Sequence, residues 1–489
     1  MRRVLAAAAL LAGLAAHAAA QTAYAGGSAA IPITTKSEEA RALYLEGRDL
    51  FETLHVAESH PKFDAAVKAD PDFALAWLGR ANSAPTAAIF FESVKRAAEL
   101  APRVSAGERH LILATQAAVN SDPDGQLEHL NALVELHPDD ERAHNQLGNY
   151  YNGRQEYEKA IEHYKRAIEL NPRFTGAYNI LGYAYRFLDR YDDAERTFQE
   201  YIEVLPNEPN PYDSYAELLM RMGRFEESVA QYRKALEVDP EFTPSLIGIG
   251  NNQMFMGRYA DARRTFEEYY AKAPNDGVRR NALFWSAASY VHEGKPDQAI
   301  ETVRKMMTIA EASGDLANVS GDHLLIGNII LETGGSPDDA LASFEKAVEV
   351  SDRADQPEEV KEAARRNHLY QEALVALAKG DLAAAKAKTD AYRAAVDVEK
   401  VRFEVQQTHE LAGRIALAEG DVAGGIAELE KANQLDPRVL WALSRAHERA
   451  GHADEARAWA KRAADFNQLN FALGYVRNDA RNAAGGAAT

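Results

Sequence analysis

Asn145, Asn149 and Asn152 stand four and three residues apart, and 34 residues further on the same places hold Asn179, Tyr183 and Arg186. After another 34 they hold Asp213, Glu217 and Met220, and then Ile247, Asn251 and Met254. On a helix this spacing puts each trio on one face. An asparagine amide offers a donor and an acceptor together, which suits the backbone of an extended peptide whatever its side chains. Methionine and tyrosine add adaptable apolar contact. With Arg142 heading the first set, the candidate binding residues are Arg142, Asn145, Asn149, Asn152, Asn179, Tyr183, Arg186, Asp213, Glu217, Asn251 and Met254. The chemistry they offer is recognition, not bond making; the plainer alternative is a solvated polar face.

Signatures of catalysis and metal binding are imitated but not completed. His447, Glu448 and His452 resemble a zinc-binding helix, yet the histidines are five residues apart instead of four, about 140° around a helix. Asn120, Asp122, Asp124 and Gly125 begin like a calcium loop, but Asn131 stands where a bidentate glutamate is needed and Pro123 stiffens the middle. Gly248, Gly250 and Gly257 miss the dinucleotide-binding spacing and follow no strand pattern. His144 shares an aromatic column with Tyr178, Tyr212 and Leu246, which makes it a packing residue. No nucleophile, base and orienting group form a recognisable motif. No catalytic residue, metal or cofactor is therefore expected.

The elements that must carry the stripe follow from the columns beside it. Leu147, Leu181, Tyr215 and Ile249 share one position, followed by Gly148, Gly182, Ala216 and Gly250. Aromatics recur at Tyr157, Tyr191, Phe225 and Tyr259, and small residues at Ala160, Ala194, Ser228 and Ala262. Then come Tyr164, Phe198, Tyr232 and Phe266, and finally Pro172, Pro206, Pro240 and Pro274. Small residues let two helices, A and B, approach closely while aromatics fill the wedge beside the contact. The proline ends one unit and starts the next. A helix of this length is marginal alone, so stability accrues as neighbouring units bury each other's faces.

Spacing and residue types together resemble the tetratricopeptide repeat, seen in NQLGNYY from Asn145 to Tyr151 and NILGYAY from Asn179 to Tyr185. The resemblance implies an all-α, right-handed superhelical solenoid of antiparallel helix pairs, with a concave groove lined mainly by the A helices. It also implies that the stripe faces that groove. The two-carboxylate clamp of chaperone-binding members needs a lysine where Asn145 or Asn179 stands, so recognition of a C-terminal carboxylate is not implied.

The pattern continues outward. Gly47, Leu50, Phe63, Ala66 and Pro71 fit one unit, Trp77 opens a shortened one that ends at Pro102, and residues 105–140 make a third. Tyr290, Gly294 and Ala299, then Ala340, Phe344 and Ala347, and turns at Gly380, Gly420 and Gly451 extend it to about twelve pairs. Longer connections are expected near Ser313–Ser320, Ser351–Pro357 and Asp397–Glu404. The expected organisation is a leader at 1–20, a flexible segment at 21–35, divergent repeats at 36–140 and four regular repeats at 141–276. Divergent repeats with a cap at 277–476 follow, the cap lying in Phe466–Val476, and a disordered polar tail at 477–489 ends the chain.

The leader is read from Arg2 and Arg3, an apolar run from Val4 to Ala16, and Ala18–Ala20 before Gln21, a secretory pattern with cleavage after Ala20 or Ala25. It predicts export to the periplasm and no integral membrane segment after cleavage. The chain has no cysteine, so helix packing alone must hold it. With 74 acidic against 55 basic residues, a net charge of −19 and no basic block, nucleic acid is not an expected partner. The functional expectation is an exported scaffold that binds protein or peptide segments. A binding protein for a small ligand or cell-envelope glycan is the alternative, an enzyme is disfavoured, and homo-association is not set by the sequence.

Overall fold

The structure is a computed structural model that describes residues 30–399 and 402–485; the expected leader lies outside these residues. Among them there are 25 α-helices and no strand. Twenty-four of the helices form twelve consecutive pairs, and the chain divides into two compact units, one ending at Asn207 and the other beginning at Glu208.

The N-terminal unit holds five pairs. They are α1 (Glu38–Glu52) with α2 (Val56–Ala69), α3 (Ala74–Asn82) with α4 (Ala87–Leu100), α5 (Ala106–Val119) with α6 (Pro123–Leu136), α7 (Glu141–Gly153) with α8 (Tyr157–Leu170), and α9 (Thr175–Phe187) with α10 (Tyr191–Val204). Their starts follow from capping chemistry. Ser105 and Glu108 form a capping box at α5, and Asp140 accepts the Arg142 and Ala143 amides at α7. The same carboxylates hold the extended residues before α1. The Ile31 amide donates to Asp140 over 2.8 Å and the Thr34 amide to Glu108 over 2.7 Å, while the Thr35 hydroxyl donates to Asp70. Part of the segment expected to be flexible is thus laced across three pairs of its own unit.

The C-terminal unit holds seven pairs and one more helix. Its pairs are α11 (Pro209–Arg221) with α12 (Phe225–Val238), α13 (Pro244–Phe255) with α14 (Tyr259–Ala271), α15 (Asp276–His292) with α16 (Pro296–Ala312), and α17 (Leu316–Glu332) with α18 (Pro337–Arg353). Then come α19 (Glu358–Ala378) with α20 (Leu382–Glu399), α21 (Arg402–Glu419) with α22 (Val422–Leu429), α23 (Pro437–Arg449) with α24 (Ala453–Ala464), and the unpaired α25 (Leu473–Ala483).

Two expected long connections become helix instead. Gly314, at φ 71°, turns the chain within three residues and Asp315 caps α17 at once, while α20 runs on to Glu399. The extra residues lengthen the helices themselves: α15 to α18 have 17 residues each and α19 has 21, against 13 or 14 in α7 to α12. The polar tail also starts later than its composition suggests. Residues 477–483 belong to α25, where Arg477 and Ala480 are buried, because the apolar residues Leu473, Val476 and Ala480 give the helix one face to bury.

Inside the pairs the packing follows the columns. Tyr164, Phe198, Tyr232 and Phe266 are fully or almost fully buried, as are Ala160, Ala194, Ser228 and Ala262. A methyl group at Gly148 would meet the Tyr164 ring at 2.7 Å, at Gly182 the Phe198 ring at 2.5 Å, and at Gly250 the Phe266 ring at 2.2 Å. Glycine is there because the aromatic of helix B occupies the space of a side chain on helix A.

Candidate functional site

The stripe does not have one environment. In the N-terminal unit, Asn145, Asn149 and Asn152 on α7 and Asn179, Tyr183 and Arg186 on α9 all keep partial exposure. The Asn149 amide oxygen accepts the Tyr164 hydroxyl at 2.9 Å, so this residue supports the core as well as the face. Asn145 and Asn152 differ: their amide oxygens are shut off from solvent and have no hydrogen-bond partner among the described residues. The Arg186 guanidinium lies 4.6 Å over the Tyr183 ring, which meets Phe198 edge-on at 5.4 Å. That arrangement fixes a flat, cationic rim on α9.

Arg142, grouped with the stripe by sequence, is committed elsewhere. It makes a fork with Glu52, at 2.7 Å and 3.1 Å, and a 2.6 Å bond to Glu141, over the face of Phe174. Burial alone would lower its pKa, but the charges of Glu52 and Glu141 raise it, so the cation is permanent. The Thr175 hydroxyl donates to the Glu52 carbonyl at 3.0 Å. The end of α1 therefore ties together the starts of α7 and α9. Glu52 carries no sequence signal for this role, because its partners lie 90 and 123 residues away.

In the C-terminal unit the corresponding positions divide: Met220, Asn251 and Met254 are buried, while Asp213, Glu217 and Ile247 keep partial exposure like the residues of α7 and α9. Asp213 accepts the Ser245 hydroxyl at 2.6 Å; burial pushes its pKa up to about 7, with the Ser245 bond opposing and the charge of Glu217 adding to the rise. Asn251 is fully buried and donates to the carbonyl of Ile247 at 2.9 Å. Met220 and Met254 are buried in a cluster with Phe255, Trp285, Phe466, Leu473 and Ala480. What packs against the two methionines is the chain's own C-terminal segment.

That segment is bound by a regular set of contacts. The Asn467 amide donates to the carbonyl of Arg221, the Arg481 guanidinium to that of Phe255, and the Asn478 amide to that of His292. These three carbonyls belong to the last residues of α11, α13 and α15, where helices present unpaired acceptors and the negative end of the macrodipole. Arg477 lies 4.3 Å from the centre of the Phe255 ring and 5.7 Å from that of Phe225, and donates to Asn467 at 2.9 Å. Burial and the neighbouring Arg481 push its pKa down, although a guanidinium stays charged at neutral pH. Phe471 packs on Phe284 with ring centres 5.0 Å apart, and Gly474 lies against Val291 and His292. Burial, helped by Arg477 and Arg481, pushes His292 down to about 3, so it is neutral. Phe466–Val476 was readable as a cap; the part played by Arg477, Asn478 and Arg481 was not.

The metal-like motifs resolve into local structure. Asp122 caps α6 by accepting the Gly125 amide at 2.9 Å. His447 and His452 approach to 3.4 Å between Nδ1 atoms, because Gly451 turns the chain at φ 78° and His452 leaves the helix on which the spacing argument placed it. His144 donates from Nε2 to the Pro138 carbonyl at 3.0 Å and so presents a bare Nδ1 to the Nδ1–H of His163 at 3.2 Å. Among the described residues no group of three or more histidines, aspartates or glutamates is placed to hold a metal ion. No described helix is long and apolar enough to cross a membrane.

The tetratricopeptide repeat patterns match residues 44–102, 141–174, 163–196, 210–242 and 247–314. The chain is a tetratricopeptide repeat protein. Its repeats make it a protein-interaction scaffold. Comparison with curated proteins finds no match. Among solved structures, a tetratricopeptide repeat protein from Parabacteroides merdae ATCC 43184 is 18% identical, over 54% of this chain and 99% of that one, with a TM-score of 0.41. The MamA protein is 21% identical over 34% of this chain and 91% of its own, with a TM-score of 0.31. YrrB, described as a TPR protein with an unusual peptide-binding site, is 18% identical over 37% and 91%, with a TM-score of 0.29.

Proposed function

We propose that this tetratricopeptide repeat protein is an exported, periplasmic scaffold that receives extended segments of a partner protein on the A-helix face of its N-terminal unit. The observation that carries the reading is the shared partial exposure of Asn145 and Asn152 with the other stripe residues of α7 and α9. Asn149, Asn179, Tyr183 and Arg186 on the same face supply further amide, aromatic and cationic contacts. Export rests on the leader pattern, with Arg2 and Arg3 ahead of the apolar run.

The test is affinity capture from the protein's own envelope extract with wild type and the Asn145→Ala/Asn152→Ala variant. The variant should keep its melting temperature, since neither amide oxygen has an intrachain partner to lose, and should retain markedly less of the captured protein. Asn149→Ala serves as a contrast, because it orphans the Tyr164 hydroxyl and should lower stability by about 1 kcal/mol. Equal capture by wild type and double variant would rule out this face. Titration with peptides and with cell-wall sugars separates peptide binding from ligand carriage.

A further inference from the structure

In the C-terminal unit one segment of the chain is seated on a surface made by the rest of the unit. The surface is made by the ends of α11, α13 and α15, with Phe255, Phe284, Met220 and Met254 and the carbonyls of Arg221, Phe255 and His292. The segment is residues 466–483. They offer Leu473, Val476 and Ala480 at intervals of three and four, a glycine for close approach, and the donors Asn467, Asn478 and Arg481. This is the anchor pattern of a helix laid into a groove.

The fit is incomplete in a specific way. Nε and Nη1 of Arg477, the hydroxyl of Tyr475 and Nε2 of His292 are all buried without partners. Each is solvated when the segment is undocked, so docking forfeits part of what apolar burial gains. An 11-residue helix is also marginal in water by itself. The segment is connected to α24 only through residues 465–472. Its hold therefore depends heavily on the high local concentration that the tether provides.

We propose that the surface formed by the ends of α11, α13 and α15 is a binding site for an amphipathic helix of a partner protein, and that residues 466–483 are its exchangeable resident occupant. The proposal rests on the reading that A-helix faces of this scaffold bind partner segments. The incoming helix has small or aliphatic residues three and four apart, a glycine or alanine at the place of Gly474, and asparagine or arginine donors that reach the helix-end carbonyls. Release of the resident segment uncovers Met220, Met254 and Phe255 together.

The experiment uses the full chain and a fluorescein-labelled synthetic peptide of residues 466–485. In Gly474→Leu the resident segment carries a side chain where a methyl group already comes within 3.0 Å of Val291 and His292, so it leaves the groove. The wild-type peptide should then bind this variant at least about 100-fold more tightly than the wild-type chain, reflecting the lost intramolecular competitor. The same peptide carrying Gly474→Leu should bind neither. Equal binding to both chains, or no binding to a variant that keeps its helical circular dichroism, overturns the proposal. If the variant fails to fold, native-state hydrogen exchange on the wild type decides. The amides of α25 should open at lower free energy than those of α11, α13 and α15, and opening only together with those helices overturns it. Neither measurement involves Asn145 or Asn152, so a failure here leaves the N-terminal face standing, and the reverse.

Discussion

The two units make the same turn with different residues. Between helix A and helix B the C-terminal unit uses glycine in the left-handed region, as at Gly223 and Gly257, both at φ 77°. The N-terminal unit puts Leu54, Ser121, Gln155 and Asp189 into that region, at φ 55–67°. A side chain there costs roughly 1–2 kcal/mol that glycine does not. The unit with the strained turns also keeps its stripe partly open, with two amide oxygens unsatisfied. The unit with relaxed turns packs Met220 and Met254 of its stripe against the chain's own terminus, keeps Asp213, Glu217 and Ile247 partly exposed, and also leaves the buried Asn251 oxygen without a donor among the described residues. One repeat architecture thus serves two ends: the stripe of one unit stays at the surface, and part of the other's seats the chain's own terminus.

Substitutions at the helix contact test whether the two units share one core logic despite this difference. Gly148→Leu in the N-terminal unit and Gly250→Leu in the C-terminal unit should each destabilise by about 1–3 kcal/mol through overpacking against Tyr164 and Phe266. Hydrogen exchange should place the loss in the pair that carries the change. An unchanged melting temperature for either would mean that the helix contact does not constrain that unit.

Protonation should separate the units next. Asp213 has a raised pKa, so the folded C-terminal unit holds a proton that the unfolded chain has released between about pH 4 and about pH 7. Its contribution therefore falls as pH rises through that window and is least favourable above it. His163 in the N-terminal unit is pushed down by burial and by His144, so its contribution is complete above about pH 6.5 and is lost as pH falls below that value. Asp213→Asn should raise stability by about 1–2 kcal/mol at pH 8 and leave it nearly unchanged at pH 4, after allowance for solvent screening. His163→Gln should remove part of the acid sensitivity of the N-terminal unit. Melting curves at several pH values read both, and a variant pH profile parallel to wild type would refute the corresponding assignment.

The turns give the smallest effect. Gln155→Gly should stabilise by up to about 1 kcal/mol, whereas Gly257→Ala should destabilise by about the same amount. Urea denaturation measures both, and a neutral Gln155→Gly would show that the N-terminal turns are not strained.

The repeat was legible because its cause is local. A small residue that must admit an aromatic 16 residues later, as Gly148 admits Tyr164 and Gly250 admits Phe266, recurs through the regular repeats, and that register guided the count of pairs outward. The face of each A helix was legible for the same reason. What covers that face was not, because Asp140 with Ile31, Arg142 with Glu52 and Asn467 with Arg221 pair over 109, 90 and 246 residues with no periodic signal. Polar composition misdirected the reading of Arg477, whose neighbours are aromatic faces and helix ends rather than water. Near Ser313 one glycine and one capping aspartate replace a loop, a substitution that chain length alone does not reveal.

The three helix-end carbonyls held by Asn467, Asn478 and Arg481 have a mechanical meaning. A single segment fastened to three successive A helices acts as a gauge that sets the distance between them. In a solenoid, where each pair leans only on its neighbours, that distance fixes the local curvature. Unfastening one end of the segment would relax the coil like a spring whose clip has been removed.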